Sequence, residues 1–378
     1  MSRLRVAVAM SGGVDSAVSA LLLKRRGYDV FGVYMINWDH AEEGTSTCPR
    51  TKDEADARSA CEKLRIPFVS VNFVKEYWND VFVNMLENYR HGRTVVPDIA
   101  CNRHIKFERF RNYAVEKHGA QFIATGHYVS TSLGDFQENR LRPAENVPDI
   151  RLLCGLDPLK DQSYFLCTLK QEQLNVAMFP VGSMTKTNVR RIAKEQGLDE
   201  IATKPESMGI CFVGKRKNFN GFIDQYIEPC PGEIRTLSGK LLGRHEGVHH
   251  FTLGKRIPIQ GCHLGYFVAN IDSENRIVYA CKGSHHPSLY ATEFSISEPQ
   301  WICRNPLADR DHVTVECRIQ RTHPPIACSL KRSGESSLSV KPVLPLRAVA
   351  NGQMCVFYDG RECLGGGEVQ KITSTLDY

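Results

Sequence analysis

The stretch that decides the fold is Arg5–Ser16, RVAVAMSGGVDS. Its apolar first half predicts a short buried strand, Arg5–Met10, and the glycine turn leads into a helix whose apolar residues recur from Val14 to Leu22. Glycines between a strand and a helix let an anion approach the backbone N–H groups at the helix N-terminus. Because the loop has neither the Gly-Lys-Ser/Thr ending of a Walker A motif nor GxGxxG spacing, the sequence predicts a phosphate site of another kind.

Outward from this loop, strand-like and helical segments alternate as far as about Gly214. Such alternation predicts an α/β fold with a doubly wound parallel sheet. Further along, short β-like runs broken by turns predominate, apart from one helix predicted over Asn218–Ile227. We therefore predict three domains: an α/β catalytic domain over residues 1–216, a small β-rich linking domain over 217–286, and a C-terminal β-barrel over 287–378.

Composition permits some partners and argues against others. The 378 residues carry a net charge of +6, a modest excess that permits a nucleic-acid partner without requiring one. No run of 18 apolar residues occurs, so we expect no membrane partner. The N-terminus is basic enough for import into an organelle, but we expect no removable presequence.

The cysteine content indicates a reducing compartment. There are 14 cysteines without a signal peptide and without a CxxC pair, which argues against both a disulfide scaffold and a structural zinc site. One HExxH string, His245–His249, has the spacing of a zinc protease. Glycines interrupt it and a β-like run follows, so we expect neither a helix nor zinc there. Most of the thiols should be small buried hydrophobes.

Two cysteines have informative neighbours. Cys101 follows the turn at Pro97 and Asp98, and a helix is predicted to begin near Asn102. A thiol at a helix N-terminus beside basic residues has a lowered pKa, and Asp98 is near enough in sequence to exchange a proton. Cys211 lies in an apolar segment between glycines, SMGICFVG, whose composition alone favours a buried, inert thiol.

Five segments, taken in order, resemble one family. SGGxDS is similar to the pyrophosphate loop of the ATP pyrophosphatases, and SGGVDS, PDxxCNxxIKF, ATGHY, KDQSYFL and ESMGICFxGKR together resemble the tRNA 2-thiouridylases, most closely their eukaryotic mitochondrial branch. The resemblance covers essentially the whole chain, including KEYWNDVF (75–82) and GQxxVFYxGxECLGGG (352–367). It implies a pyrophosphate-loop fold that uses ATP and Mg²⁺.

The resemblance also implies a role for each matching residue. Cys101 would be the catalytic nucleophile, Cys211 the carrier of a persulfide, and Asp98 the acid or base near the target uridine. Residues expected to bind ATP are Ala9, Met10, Ser11, Gly12, Gly13, Val14, Asp15, Ser16, Met35 and Gly126, with Asp15 either binding Mg²⁺ or ordering the loop. Residues expected to contact the target base or the tRNA are Val96, Pro97, His127, Lys160, Asp161, Gln162, Gln320, Arg321 and Gln353.

By the same resemblance the chain would be a tRNA-uridine 2-sulfurtransferase. The resemblance implies that the wobble uridine is adenylated at O2 with release of pyrophosphate, and that sulfur from the Cys211 persulfide then replaces O2 as AMP leaves and a Cys101–Cys211 disulfide forms. The implied substrates are tRNAs for Lys, Glu and Gln, and an upstream persulfide donor supplies the sulfur. The implied location is mitochondrial, with the cytoplasm as the alternative.

Three positions depart from the family pattern. Val96 replaces the usual Asn before Pro-Asp, which removes a side-chain hydrogen bond to the base, while Ile36 replaces a usual Lys and Lys255 a usual Gln. None of them touches the cysteines or the glycine loop. Two other functions stay open: an amidating ligase of the same loop class, which would need a source of ammonia, and a tRNA-binding module with a degenerate site.

Overall fold

The chain forms three β-sheets in the residues that this computed structural model describes, 3–38, 49–138, 149–205, 219–334 and 336–376; the side chains of residues 49–51 are not described. The strands are β1 (Arg5–Met10), β2 (Asp29–Ile36), β3 (Phe68–Asn72), β4 (Phe122–Ala124), β5 (Val129–Thr131), β6 (Leu152–Cys154), β7 (Ala177–Met178), β8 (Gly232–Thr236), β9 (Leu241–His245), β10 (Arg256–Ile257), β11 (Tyr266–Asp272), β12 (Ile277–Lys282), β13 (Tyr290–Ser297), β14 (Gln300–Trp301), β15 (His312–Arg318), β16 (Ile326–Arg332), β17 (Ser337–Pro342), β18 (Leu346–Arg347), β19 (Met354–Asp359) and β20 (Glu362–Thr375).

The helices lie mainly in the first half of the chain. They are α1 (Val14–Arg25), α2 (Pro49–Leu64), α3 (Val74–Tyr77), α4 (Val83–Arg90), α5 (Pro97–Ala100), α6 (Phe110–His118), α7 (Gln171–Leu174), α8 (Lys186–Glu195), α9 (Asp199–Thr203) and α10 (Phe219–Ile223). Two π-helical stretches, Trp78–Phe82 and Cys101–Arg109, connect α3 to α4 and α5 to α6. The helix that the sequence predicts over Asn218–Ile227 is shorter than expected, since α10 ends at Ile223.

The first sheet is parallel throughout, with the strand order β3-β2-β1-β4-β7. Alternate residues of β1 point into two separate cores: Ala7 and Ala9 pack on one face, and Val6 and Val8 on the other. Helices α1 and α8 cover the second face, while the helix ending in α6 covers the first. The predicted doubly wound α/β sheet is therefore confirmed.

The second and third sheets are built mainly of antiparallel strands. The second has the order β10-β11-β12-β8-β9, and β12 and β8 form a parallel pair within it. In the third, β13 pairs with both β17 and β20, so that β13-β17-β16-β15-β19-β20 closes into a barrel around its own apolar core. The predicted C-terminal barrel is confirmed.

The barrel sheet includes two strands from the first half of the chain. β6 pairs with β20 and β5 pairs with β6, so residues 129–131 and 152–154 extend the C-terminal sheet. The predicted limits of the three domains stay a prediction. β5 and β6 belong to the predicted catalytic domain in sequence, yet in space they share a sheet with the barrel. No local pattern in these short strands indicates this pairing.

Candidate active site

The glycine loop lies between β1 and α1, at the carboxyl edge of the parallel sheet. Gly12 has a φ of 73°, and a Cβ at this position would lie 2.4 Å from the backbone oxygen of Asp53. Both the backbone conformation and the lack of space therefore require glycine. The hydroxyls of Ser11 and Ser16 lie 3.3 Å apart, and the Ser16 hydroxyl donates to Gly13 O at 3.0 Å. Hydroxyls and backbone N–H groups thus meet at a helix N-terminus, as a phosphate site requires.

Asp15, the acid of this loop, is paired with protein groups. Its carboxylate oxygens lie 2.8 and 2.7 Å from Lys186 Nζ, and Oδ1 also accepts a hydrogen bond from the Tyr128 hydroxyl at 2.6 Å. The Lys186 side chain is 12% exposed and that of Asp15 30%, so water screens the pair only in part. These contacts tie Asp15 to Lys186 and Tyr128, while the two roles expected from the sequence, binding Mg²⁺ or ordering the loop, both stay predictions.

Two lysines next to this loop are absent from the sequence-based site. Besides Lys186, Lys204 donates to Gly12 O at 3.3 Å, and its Nζ lies 2.7 Å from the carboxylates of both Asp53 and Asp56. Burial lowers the pKa of Lys204, but hydrogen bonds and charge from the two aspartates outweigh this and raise it. Both lysines are more than 170 residues from their partners in the loop, so no local sequence pattern connects them with it.

The other residues predicted to bind ATP frame the loop. Ala9, Met10 and Val14 are buried in the two cores of the sheet, so only their backbone can face a nucleotide. Met35 lies half-buried near the end of β2, beside the end of β1 where the loop begins. This is the edge at which the sequence places adenine.

The segment Thr125–Tyr128 joins the glycine loop to the helix that carries the predicted nucleophile. A Cβ at Gly126 would lie 2.8 Å from the backbone nitrogen of Ser16, so glycine is needed for this close approach. The next residue, His127, is buried, and its ring centroid lies 5.8 Å from that of Phe107 in the π-helix. One strand end thus contacts both parts of the predicted site.

The helix that carries Cys101 begins earlier than predicted. The sequence places its start near Asn102, whereas α5 begins at Pro97, whose fixed φ suits the first helical position. The Cys101 N–H donates to the backbone oxygens of Pro97 and Asp98. Cys101 is 5% exposed and opens a π-helix, a form often found at functional sites.

Asp98, His127 and Lys106 are the ionisable residues of the site near this helix. Burial raises the pKa of Asp98, opposed by the charge of Lys106 and by a backbone hydrogen bond. Burial also lowers the pKa of His127 well below its usual value, and Lys106 adds to this effect. Asp98 therefore keeps a proton to a higher pH than an ordinary aspartate, while His127 stays neutral, and both states suit proton exchange. Lys106 is one of the two basic residues, with Arg103, that the sequence places beside Cys101, and here its charge also acts on Asp98 and His127.

The predicted tRNA contacts fall into a buried group and a half-buried group. Asp161 is 2% exposed, and its carboxylate accepts hydrogen bonds from Ser163, from Arg318 and from a backbone amide. Gln353 is 7% exposed and accepts from a backbone amide at 2.8 Å. These two side chains hold neighbouring backbone in place. Pro97 and His127 are also buried, and the half-buried members are Val96, Lys160, Gln162, Gln320 and Arg321.

The barrel is docked against the segment that leads into α5. The Thr94 N–H donates to Asn351 O at 2.7 Å, and Arg93 forms an ion pair with Glu368 of β20. Gly352 has a φ of 89°, and a Cβ there would lie 3.0 Å from Thr94 O. The approach to the Cys101 helix is therefore positioned by the C-terminal barrel.

Cys211, the predicted carrier of sulfur, lies outside the described residues. The twelve cysteines that are described are free thiols, and most of them are buried. Burial raises the pKa of Cys61 to about 12 and that of Cys154 to about 11, so these thiols are inert at neutral pH. Cys61 is one of the buried thiols that the sequence predicts, whereas Cys154 is half-buried and lies 3.5 Å from the Ser163 hydroxyl.

The HExxH string is not helical, as expected. His245 ends β9, and only Val248–His250 form a short 3₁₀ turn. The two histidines of a zinc protease must lie on one face of a helix, so this segment cannot form such a site. In the described part of the chain, no helix is both long and apolar enough to cross a membrane.

Three family profiles match consecutive parts of the chain. They are described as a tRNA methyl transferase HUP domain for residues 4–215, a tRNA methyl transferase PRC-barrel domain for 220–282 and an aminomethyltransferase β-barrel domain for 291–369. The HUP-domain profile alone spans more than half of the 378 residues.

Curated relatives are similar over nearly the full length. The chain is 58% identical to a probable mitochondrial tRNA-specific 2-thiouridylase 1 of Caenorhabditis elegans, over 98% of this chain and 100% of the relative. It is 43% identical to the human mitochondrial tRNA-specific 2-thiouridylase 1, with coverage of 97% and 90%, and 41% identical to the tRNA-specific 2-thiouridylase MnmA of Bacillus velezensis, with coverage of 97% and 95%. The profiles name methyl transfer and the relatives name thiolation, and the relatives match nearly the whole chain.

Proposed function

Because the chain belongs to the tRNA-specific 2-thiouridylase family, we propose that it replaces O2 of a tRNA uridine with sulfur at the expense of ATP. The observation that carries this proposal is the segment Thr125–Tyr128, which contacts the glycine loop through Gly126 and the Cys101 helix through His127. A uridine beside Cys101 would therefore lie next to phosphates held by the loop. Adenylation and sulfur transfer can then occur in one pocket.

The glycine loop suits the phosphates of ATP. Gly12 has no side chain to keep a phosphate away from its backbone, and Lys186 Nζ provides a cation beside the loop. We expect the loop amides and Ser11 to bind phosphate oxygens, Lys186 to neutralise them, and Asp15 to bind Mg²⁺. ATP supplies the adenylyl group that turns the uridine O2 into a good leaving group, and AMP and pyrophosphate are the expected products.

Asp98 and Cys101 are proposed to act on the uridine itself. Asp98 accepts the proton that uracil loses as its O2 attacks the α-phosphate, because burial keeps the pKa of this carboxyl above the ordinary value. The base must leave the anticodon stack to reach the pocket. His127, which stays neutral, can offer it a hydrogen bond without adding charge.

Sulfur transfer is proposed to use both predicted cysteines. The terminal sulfur of a Cys211 persulfide attacks C2 of the uridine, and AMP leaves with the former O2. The Cys101 thiolate then attacks the Cys211 sulfur of the resulting mixed disulfide, so that C2 keeps the terminal sulfur and a Cys101–Cys211 disulfide forms. A thiol reductant supplies the two electrons that regenerate both thiols, and an upstream persulfide donor reloads Cys211.

The proposed partner is tRNA, specifically the tRNAs for Lys, Glu and Gln. The half-buried Lys160 and Arg321 lie on opposite sides of the junction between the catalytic segment and the barrel, where Arg321 donates to Leu159 O at 2.9 Å. Phosphates bound across this junction would hold the anticodon loop over the pocket. We further propose a mitochondrial location, since the worm and human relatives carry that description.

A thiolation assay tests this proposal. Purified chain, unmodified tRNA, ATP and a persulfide donor with heavy sulfur should yield labelled 2-thiouridine, AMP and pyrophosphate. Cys101→Ser and Cys211→Ser should each abolish the label, whereas Cys230→Ser, at an exposed thiol, should not. Release of ADP, or an aminated product formed from ammonia without sulfur, would contradict the proposal and support an amidating ligase.

A further inference from the structure

Away from the active site, three potential metal ligands converge where α10 meets the linking domain. Asp224 directly follows α10, and His249 and His250 lie in the 3₁₀ turn of the HEGVHH segment. Asp224 Oδ1 lies 3.0 Å from His249 Nε2 and 2.6 Å from His250 Nε2. One ligand atom from each residue lies within 4.8 Å of the other two, and no other group of three such side chains was found among the described residues.

The spacing of these atoms is close to that around a bound ion. Zinc with tetrahedral bonds of about 2.0–2.1 Å holds its ligand atoms about 3.3 Å apart. The contacts at 3.0 and 2.6 Å fall short of this by less than about 1 Å, so small side-chain shifts would admit an ion. The two imidazole rings, with centroids 4.2 Å apart and planes at 66°, approach the same oxygen from different directions, as two ligands of one metal do.

The surroundings hold the ligands in place and leave one side open. A Cβ at Gly247 would lie 2.2 Å from Cε1 of His249, so this ring packs directly on backbone, and its side chain is only 2% exposed. The side chains of His250 and Asp224 are 21% and 41% exposed, so water can reach the cluster. Three fixed ligands and one open position are a common arrangement for zinc.

We propose that Asp224, His249 and His250 form a zinc site with water as the fourth ligand. Two imidazoles and one carboxylate favour zinc or another borderline divalent ion over Mg²⁺ and Ca²⁺, which prefer oxygen ligands alone. The ion would tie α10 to the 3₁₀ turn of the linking domain and stabilise their contact. This revises the expectation of no zinc at the HExxH string: His249 takes part, whereas His245 Nε2 contacts Arg276 O at 3.2 Å instead.

Metal content and cobalt spectra test the proposal on the untagged full-length chain after removal of metals by a chelator. In equilibrium dialysis against zinc, the unsubstituted chain should bind about one ion more than either His250→Gln or Asp224→Asn. Both substitutions are at partly exposed side chains, so the fold should survive them, and His263→Gln, at an exposed histidine of the same domain, is the matched control. Cobalt(II) reports ligand type, because cysteine ligands add an intense near-ultraviolet band that nitrogen and oxygen ligands lack.

His250→Gln and Asp224→Asn should each lose this one ion and the cobalt bands that it gives, whereas His263→Gln should keep both. The cobalt spectrum of the site should contain no thiolate band. Zinc should also raise the melting temperature of the unsubstituted chain and of His263→Gln, and leave the two variants unchanged. Equal zinc content in all four proteins would overturn the proposal. A cobalt spectrum with only thiolate bands would do the same, and would leave the cluster as a hydrogen-bonded pair of histidines on one carboxylate.

Discussion

Replacing Lys186 with methionine should separate the catalytic role of this residue from its structural role. Methionine keeps most of the side-chain volume but removes the charge that lies 2.7 and 2.8 Å from the Asp15 oxygens. Exposed ion pairs contribute about 0–1 kcal/mol, and breaking a fully buried pair costs about 3–5 kcal/mol. Because these side chains are 12% and 30% exposed, we expect an intermediate loss of stability, about 1–2 kcal/mol.

The effect on chemistry should be larger than the effect on stability. If Lys186 neutralises the phosphates of ATP during adenylation, its loss removes one electrostatic contact to the departing pyrophosphate. Removal of one such contact typically lowers kcat by about 100- to 1,000-fold. Lys186→Arg keeps the charge and should retain part of the rate, whereas Asp15→Asn breaks the same ion pair but keeps the Lys186 charge and removes the carboxylate proposed to bind Mg²⁺.

The assay is release of pyrophosphate with unmodified tRNA, measured together with thermal unfolding of each variant. Lys204→Met is the matched control, since Lys204 pairs with Asp53 and Asp56 and contacts the loop only at Gly12 O. We expect it to lower stability with a smaller loss of rate. If Lys186→Met unfolds at a lower temperature but releases pyrophosphate at the normal rate, Lys186 only holds the loop and the proposed phosphate contact is wrong.

Three further predictions follow from contacts around the pocket. Burial raises the pKa of Asp98 above 3.8, so the stability that the bound proton gives the folded state at low pH is lost as the pH rises through the raised pKa. Asp98→Asn should therefore unfold at a higher temperature than the unsubstituted chain at pH 7, and this difference should vanish as the pH falls toward about 4. The same variant should lack thiolation activity. Arg318→Met leaves the buried Asp161 carboxylate without its cation and should lower the free energy of unfolding by about 3–5 kcal/mol; an unchanged denaturation midpoint would contradict this. Arg321→Ala should reduce the salt dependence of tRNA binding by about one unit of slope and leave unfolding nearly unchanged, as measured by titrations at several salt concentrations.

The parts of the fold that depend on local pattern could be predicted from the sequence. The strand–loop–helix unit at Arg5–Ser16 and the change to β-structure after the catalytic domain are both present in the structure. The start of the Cys101 helix was misplaced because Pro97 and Asp98 were interpreted as a turn, whereas proline at the first helical position begins a helix just as well. The local sequence at Pro97 and Asp98 does not distinguish a turn from the first turn of a helix.

Residues of the site that depend on distant contacts could not be predicted. Lys186 and Lys204 reach the glycine loop only after the sheet and its helices have assembled, and neither lies in a motif that indicates a phosphate contact. Asp161 illustrates the reverse case. It stands in a motif associated with tRNA binding, yet its carboxylate is buried against Arg318. Resemblance can point to the residue, but burial shows that its side chain acts on neighbouring protein groups.

The way the barrel joins the catalytic segment changes how tRNA binding can be tested. Removing residues from about Pro287 onward would be the most direct way to separate tRNA binding from ATP binding. The structure argues against so clean a separation, because β20 pairs with β6 and the barrel residue Arg318 neutralises Asp161. Truncation would expose strand edges and leave a buried carboxylate without its cation, so loss of ATP binding would follow from unfolding. Point substitutions at the junction, of which Arg321→Ala is the mildest, are therefore the experiments that separate recognition from stability.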